Sequence, residues 1–159
     1  MSMRAALRLI SAAVLALAPL AAQAQDEDVI AIWREDPLRV FSGEEIDMDA
    51  LQYRARPLII FADSPFDPNF AEQMELIEAG WNDLVARDVI VITDTDPDAE
   101  TEVRQTFRPR GFVMILIGKD GRIAQRKPAP WATREIAHAI DKLPLRQQEI
   151  RETGTLGGR

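Results

Sequence analysis

The sequence contains no cysteine. Its own residues therefore cannot supply thiol nucleophiles, dithiol–disulfide cycling or thiolate metal sites. Histidine is almost as scarce. His138 is the only one, which excludes three-histidine metal centres and leaves a serine hydrolase a single imidazole to use as base. Long apolar runs are also missing: Leu9 to Leu20, about a dozen residues, falls short of the ~20 a membrane-spanning helix needs. Basic residues are outnumbered, 19 Lys and Arg against 26 Asp and Glu, for a net charge of −7. An acidic chain is a poor match for phosphate backbones and anionic lipid surfaces, so nucleic acid and peripheral membrane partners are disfavoured.

The first residues carry a pattern of their own. Arg4 and Arg8 precede the apolar run Leu9 to Leu20, and Ala22-Gln23-Ala24 follows. This is the charged, apolar and small-residue order of a secretory signal peptide, expected to span residues 1–24. Cleavage after Ala24 would remove two of the 19 basic residues, leaving 17 against 26, about −9. The product is expected to be periplasmic or secreted and not inserted in a membrane once cleaved. Residues 25–152 fit one ordinary domain with a real core. The glycine-containing end, 153–159, is expected to be disordered.

Three short apolar runs rich in Ile and Val, Leu58 to Ala62, Val89 to Thr93 and Phe112 to Ile117, read as central strands covered on both faces. Between the first two, Phe70, Met74, Ile77, Trp81 and Leu84 recur at helical spacing. Asp67 can cap that helix, with Pro68 at its first position, where a missing N–H costs nothing. Strand, helix, strand makes a parallel βαβ unit.

A short helix over about Asp98 to Phe107 then leads to the third strand. Asp120-Gly121 is a tight-turn signal, so Ile123 to Arg126 is expected to pair antiparallel at or near the sheet edge, ended by Pro128 and Pro130. Thr133 can cap a last helix with Ile136, Ile140 and Leu143 inward, stopped by Pro144. Toward the amino end, Val29, Ile32 and Trp33, and then Met48 and Leu51, give two short helical faces. This order predicts an α/β fold of thioredoxin-like type: a central mixed sheet of about four strands, helices on both faces, the third strand antiparallel beside the first.

Tyr53-Arg54-Ala55-Arg56-Pro57-Leu58-Ile59-Ile60-Phe61-Ala62-Asp63-Ser64-Pro65, Leu116-Ile117-Gly118-Lys119-Asp120-Gly121 and Leu143-Pro144-Leu145-Arg146-Gln147-Gln148-Glu149-Ile150-Arg151, in that order, resemble the family known as domain of unknown function 4174. The resemblance covers about Val29 to Glu152. It implies a thioredoxin- or peroxiredoxin-like fold in an exported protein. Two places depart from the redox-active pattern. Phe66-Asp67-Pro68-Asn69 stands where such proteins carry Cys-x-x-Cys, and Val113 stands at the place of their cis-proline. The resemblance therefore points to a thioredoxin geometry without thiol chemistry.

The segment Asp63 to Asn69 lies at the carboxyl end of a strand and opens a helix, where α/β sheets commonly bind ligands and free amides favour anions. Ser64, Asp67 and Asn69 are the candidate binding residues, with Arg108 and Arg110 expected to approach from the segment before the third strand. An alternative is that Asp67 simply caps the helix. His138 lies about 200° around its helix from Ile136 and Ile140, on the solvent side, which argues against catalysis with Ser64. Asp94, Asp96 and Asp98 alternate as in calcium loops, but Ala99 and Gln105 stand where the EF-hand pattern wants glycine and glutamate.

No resident metal or cofactor is expected. The reading is a binding or interaction module whose partner is an unknown protein or a small anionic ligand. The alternatives are a non-thiol enzyme using Asp63 to Asn69 and a calcium-stabilised structural module.

Overall fold

The computed structural model describes residues 28–156; the expected signal peptide lies outside them. Five strands form one sheet, β1 (Val40–Ser42), β2 (Arg56–Phe61), β3 (Val89–Asp94), β4 (Val113–Ile117) and β5 (Ile123–Lys127). Their spatial order is β1-β3-β2-β4-β5. β1, β3 and β2 are mutually parallel, β4 runs antiparallel beside β2, and β5 runs antiparallel beside β4. The expected pairing of the third apolar run with the first is present, with Leu58 opposite Leu116 and Phe61 opposite Val113.

β2 and β4 are buried along their whole length, as expected of strands covered on both faces. Their alternation divides the core. Ile59, Phe61, Ile92 and Ile115 pack with Ile30 and Trp33 of α1 (Val29–Glu35), Leu51 of α2 (Met48–Leu51) and Val103 of α5 (Glu102–Phe107). Leu58, Ile60, Val91 and Met114 face Ile77 of α3 (Pro68–Ala79), Leu84 of α4 (Trp81–Val85), and Ile136 and Ile140 of α6 (Thr133–Asp141). The result is an α/β sheet with helices on both faces, consistent with the thioredoxin-like arrangement expected.

Several elements differ from expectation. The sheet has five strands where about four were expected, because β1 is only three residues long and shows no alternation that a sequence pattern could register. The helix read through Leu84 breaks at Gly80. A Cβ there would lie 2.6 Å from Cβ of Thr133, so the close crossing of α6 requires glycine, and the chain restarts as α4. Thr133 is not the cap of α6: its hydroxyl donates to the Leu76 carbonyl, and Ala132 takes the cap position without a side-chain bond.

The Asp98-to-Phe107 helix is likewise divided, into a 3-10 turn at Pro97–Ala99 and α5. Glu100 lies in the left-handed region between them (φ 47°), and Thr101 caps α5. α6 ends at Asp141, short of Leu143, and Pro144, expected to be its stop, instead starts α7 (Pro144–Leu156), so helix reaches into the segment expected to be disordered.

Candidate functional site

The segment after β2 is built by its own side chains. The Ser64 hydroxyl accepts from the Phe66 amide at 3.2 Å, and the Asp67 amide returns to the Ser64 carbonyl at 3.2 Å. Asp67 then caps α3, accepting from the amides of Asn69 (2.8 Å) and Phe70 (3.3 Å), with Pro68 at the first helical position. These bonds tie the turn down at both ends and hold Phe66 outward. Its side chain is 90 % exposed, although nearly every other aromatic ring of the chain is at least partly buried.

The same bonds change what the loop can bind. The amides expected to receive an anion are already occupied by the Asp67 carboxylate, and Asp63 adds a second negative charge. Asn69, Arg108 and Arg110 are exposed, and among the described residues no hydrogen bond or ion pair joins the two arginines to the loop. Of the five residues singled out, Ser64, Asp67 and Asn69 are tied together within the turn itself, Asn69 through its backbone amide. His138 is exposed on α6 and makes no bond with Ser64.

The charged residue that does reach this end of the sheet is Arg104, on α5. Its Nε–H and Nη2–H donate to Oδ1 of Asp94 at 2.9 and 2.7 Å. Nη2 also reaches the Ala62 and Asp94 carbonyls at 2.8 and 2.9 Å. Nη1 lies 3.6 Å from Asp63, and the guanidinium sits 5.6 Å from the centre of the Phe61 ring. Arg104 thus clasps the carboxyl ends of β2 and β3 directly before the Phe66 turn. Thr101 donates to the other Asp94 oxygen.

This clasp also answers the calcium reading. Both carboxylate oxygens of Asp94 are engaged, and Asp96 caps the 3-10 turn by accepting from the Asp98 amide at 3.0 Å. Among the described residues no three acidic or histidine side chains converge on a point where a metal could sit. Sequence reasoning missed Arg104. The available signal was its place three residues after a capping threonine, facing the end of a strand that closes on Asp94.

A second ionic cluster lies at the opposite end of the sheet. Arg56 begins β2 and is completely buried. Its Nη1–H donates to the Arg87 carbonyl at 2.7 Å and its Nη2–H to Glu149 of α7 at 2.8 Å. Lys119 pairs with Glu149 at 2.9 Å and with Asp88 at 2.7 Å, and Arg146 reaches the second Glu149 oxygen at 3.2 Å. Burial would raise the Glu149 carboxyl, but bonds from Lys119, Arg56 and Arg146 outweigh it and hold it down at about 2. Arg87 grips Asp141 through two parallel bonds of 3.0 and 2.8 Å. That contact lowers Asp141 against the opposing effect of burial and raises Arg87.

A mixed five-stranded sheet sandwiched by helices, with a rigid strand-to-helix turn and no sulfur nucleophile, defines an α/β protein whose own residues perform no thiol chemistry. The family model described as "Domain of unknown function (DUF4174)" matches residues 47–149, which include β2 through Glu149. The chain belongs to that family. No curated protein shows significant similarity to it.

Proposed function

We propose that this is an exported, thioredoxin-like recognition module, and that it binds a partner protein through the turn Asp63 to Asn69 with Phe66 as its anchor. One observation carries the reading: a large aromatic side chain, 90 % exposed, stands on a turn whose backbone is fixed by Ser64, Asp67 and the Arg104 clasp. Exposed aromatics are costly to leave in water, and held rigidly they give large contact area for little lost entropy. Such residues are enriched among those that dominate protein interfaces. Pro65 and Pro68 restrict the turn further. The signal-like amino end supports export, and the order of strands and helices supports the thioredoxin-like assignment.

The test compares wild type with Phe66→Asp as affinity baits in extract from the compartment to which the protein is exported. Phe66 contributes little to the fold, so the variant should keep the wild-type melting temperature. It should lose the captured partner, with affinity weakened about 30-fold or more, the equivalent of ~2 kcal/mol for an interface anchor. Retention of the same proteins by both baits at equal strength would overturn the reading.

A further inference from the structure

The end of the sheet that carries Phe66 also sorts its charges from side to side. β3, β2 and β5 end there and β4 begins there, with Phe61 beside both Asp94 and Val113, and Lys127 beside Met114. Beyond β3, Asp96, Asp98 and Glu100 are exposed. On the other side of the Phe66 turn, Arg108 and Arg110 are exposed on the segment entering β4, and Arg126 and Lys127 close β5. Neighbouring strands lie ~4.8 Å apart, so β3 and β4 stand about 10 Å from each other with the turn between them.

None of these side chains is neutralised within the chain. Among the described residues, Asp96, Asp98, Glu100, Arg108 and Arg110 have no ion-pair partner. Arg126 donates only to the uncharged Phe107 carbonyl, at 3.0 Å. The Lys127 ammonium lies over the Trp131 ring, 4.4 Å from its centre. The acids in the middle are engaged: Asp67 caps α3, and Asp63 lies 3.6 Å from Arg104. The result is a strip that is negative over β3, positive over β4 and β5, and centred on a ring that is 90 % exposed.

Such a strip complements a copy of itself. A twofold interface brings the same patch of both molecules together, and the direction of the axis decides whether the charges attract. An axis along the row of strands sets acid on acid. An axis perpendicular to the sheet, passing beside Phe66, sets the β3 side of each copy against the β4 side of the other and brings the two rings together. A uniformly acidic or uniformly basic partner would meet half of the strip with like charge, which is costly across a contact.

We infer that the partner of the Phe66 turn is a second copy of this chain, held head to head about that axis, with Asp98 and Glu100 of each molecule facing Arg108 and Arg110 of the other. The inference rests on the reading of the turn as a recognition surface and names its occupant. One end of one sheet is a small contact, so the dimer is weak, with a dissociation constant in the micromolar range.

The experiment is sedimentation equilibrium from micromolar to millimolar concentration, on protein purified from cells expressing the full chain. Wild type should follow a monomer–dimer equilibrium, and Phe66→Asp should weaken it about 30-fold. The double variants Arg108→Glu/Arg110→Glu and Asp98→Lys/Glu100→Lys, at exposed positions without partners, should keep the wild-type melting temperature. Each should lose self-association at least ~10-fold, whereas an equimolar mixture of the two should dimerise at least as tightly as wild type. A mixture no tighter than its components would overturn the proposed pairing. A monomeric wild type whose bait still captures another protein through Phe66 would overturn the second copy and leave the turn's recognition role standing. A dimer undiminished in Phe66→Asp would overturn Phe66 as the anchor.

Discussion

Two arginines set the ionic architecture. Arg104 has a side chain only 11 % exposed and pairs with Asp94, whose side chain is 2 % exposed. Removing one member of such a pair strands the other charge away from water, which is worse than never having had the pair. Arg104→Leu should therefore destabilise the fold by about 3–5 kcal/mol in urea unfolding, and Asp94→Asn introduced beside it should recover part of the loss. A cost below ~1 kcal/mol would mean that the clasp does not hold β2 and β3 together.

Arg56 follows the same logic at the other end of the sheet. By strand alternation it shares a face with Leu58 and Ile60, a position that ordinarily takes an apolar residue, and Glu149 compensates it there. Neither partner was legible from spacing. Asp94 lies 10 residues from Arg104 and Glu149 lies 93 from Arg56, and pairs of that kind are created by tertiary packing. Asp67 as a cap was legible, because its acceptor, the following proline and the amides it satisfies are all local.

Among the elements, the central strands were readable because both of their faces are buried and the apolar runs are continuous. β1 was not readable: its three residues gain stability from β3 rather than from any pattern of their own. The break between α3 and α4 escaped for a different reason. The helical spacing of apolar residues continues through Gly80, and only the approach of Thr133 reveals why a glycine stands there. α7 escaped because proline was read only as a stop, whereas it is equally suited to a first helical position.

α7 is held to the sheet chiefly through Glu149, which gives this element a pH dependence. The folded carboxyl lies near 2 and an unfolded one near 4.5, so its stabilising effect is fully present above pH 4.5. It is lost as pH falls toward 2. The shift alone would correspond to about 3 kcal/mol, which water at the carboxylate's open edge reduces to about 1–2 kcal/mol. In urea melts, Glu149→Gln should be less stable than wild type by that amount at pH 6, and the gap should narrow to about a quarter of it by pH 2.5. A gap independent of pH would contradict the role assigned to Glu149.

At the scale of the whole molecule, the two ends of the sheet carry different equipment. The carboxyl ends of β2 and β3 present an aromatic residue on a braced, negatively charged turn. The opposite end presents cations paired around Glu149 and Asp88, with an open cleft beside the start of α7. With no cysteine anywhere in the chain, the α/β scaffold, whose order of elements is consistent with a thioredoxin-like arrangement, has no residues of its own for exchanging disulfides.

The most direct measurement of the proposed recognition by the Phe66 turn places a photo-crosslinking benzoylphenylalanine at position 66 of the full-length protein in its native cells, with the same residue at position 123 as control. The account predicts a discrete protein adduct from position 66 on irradiation, absent from position 123. No adduct at 66, or the same adducts from both positions, would contradict it.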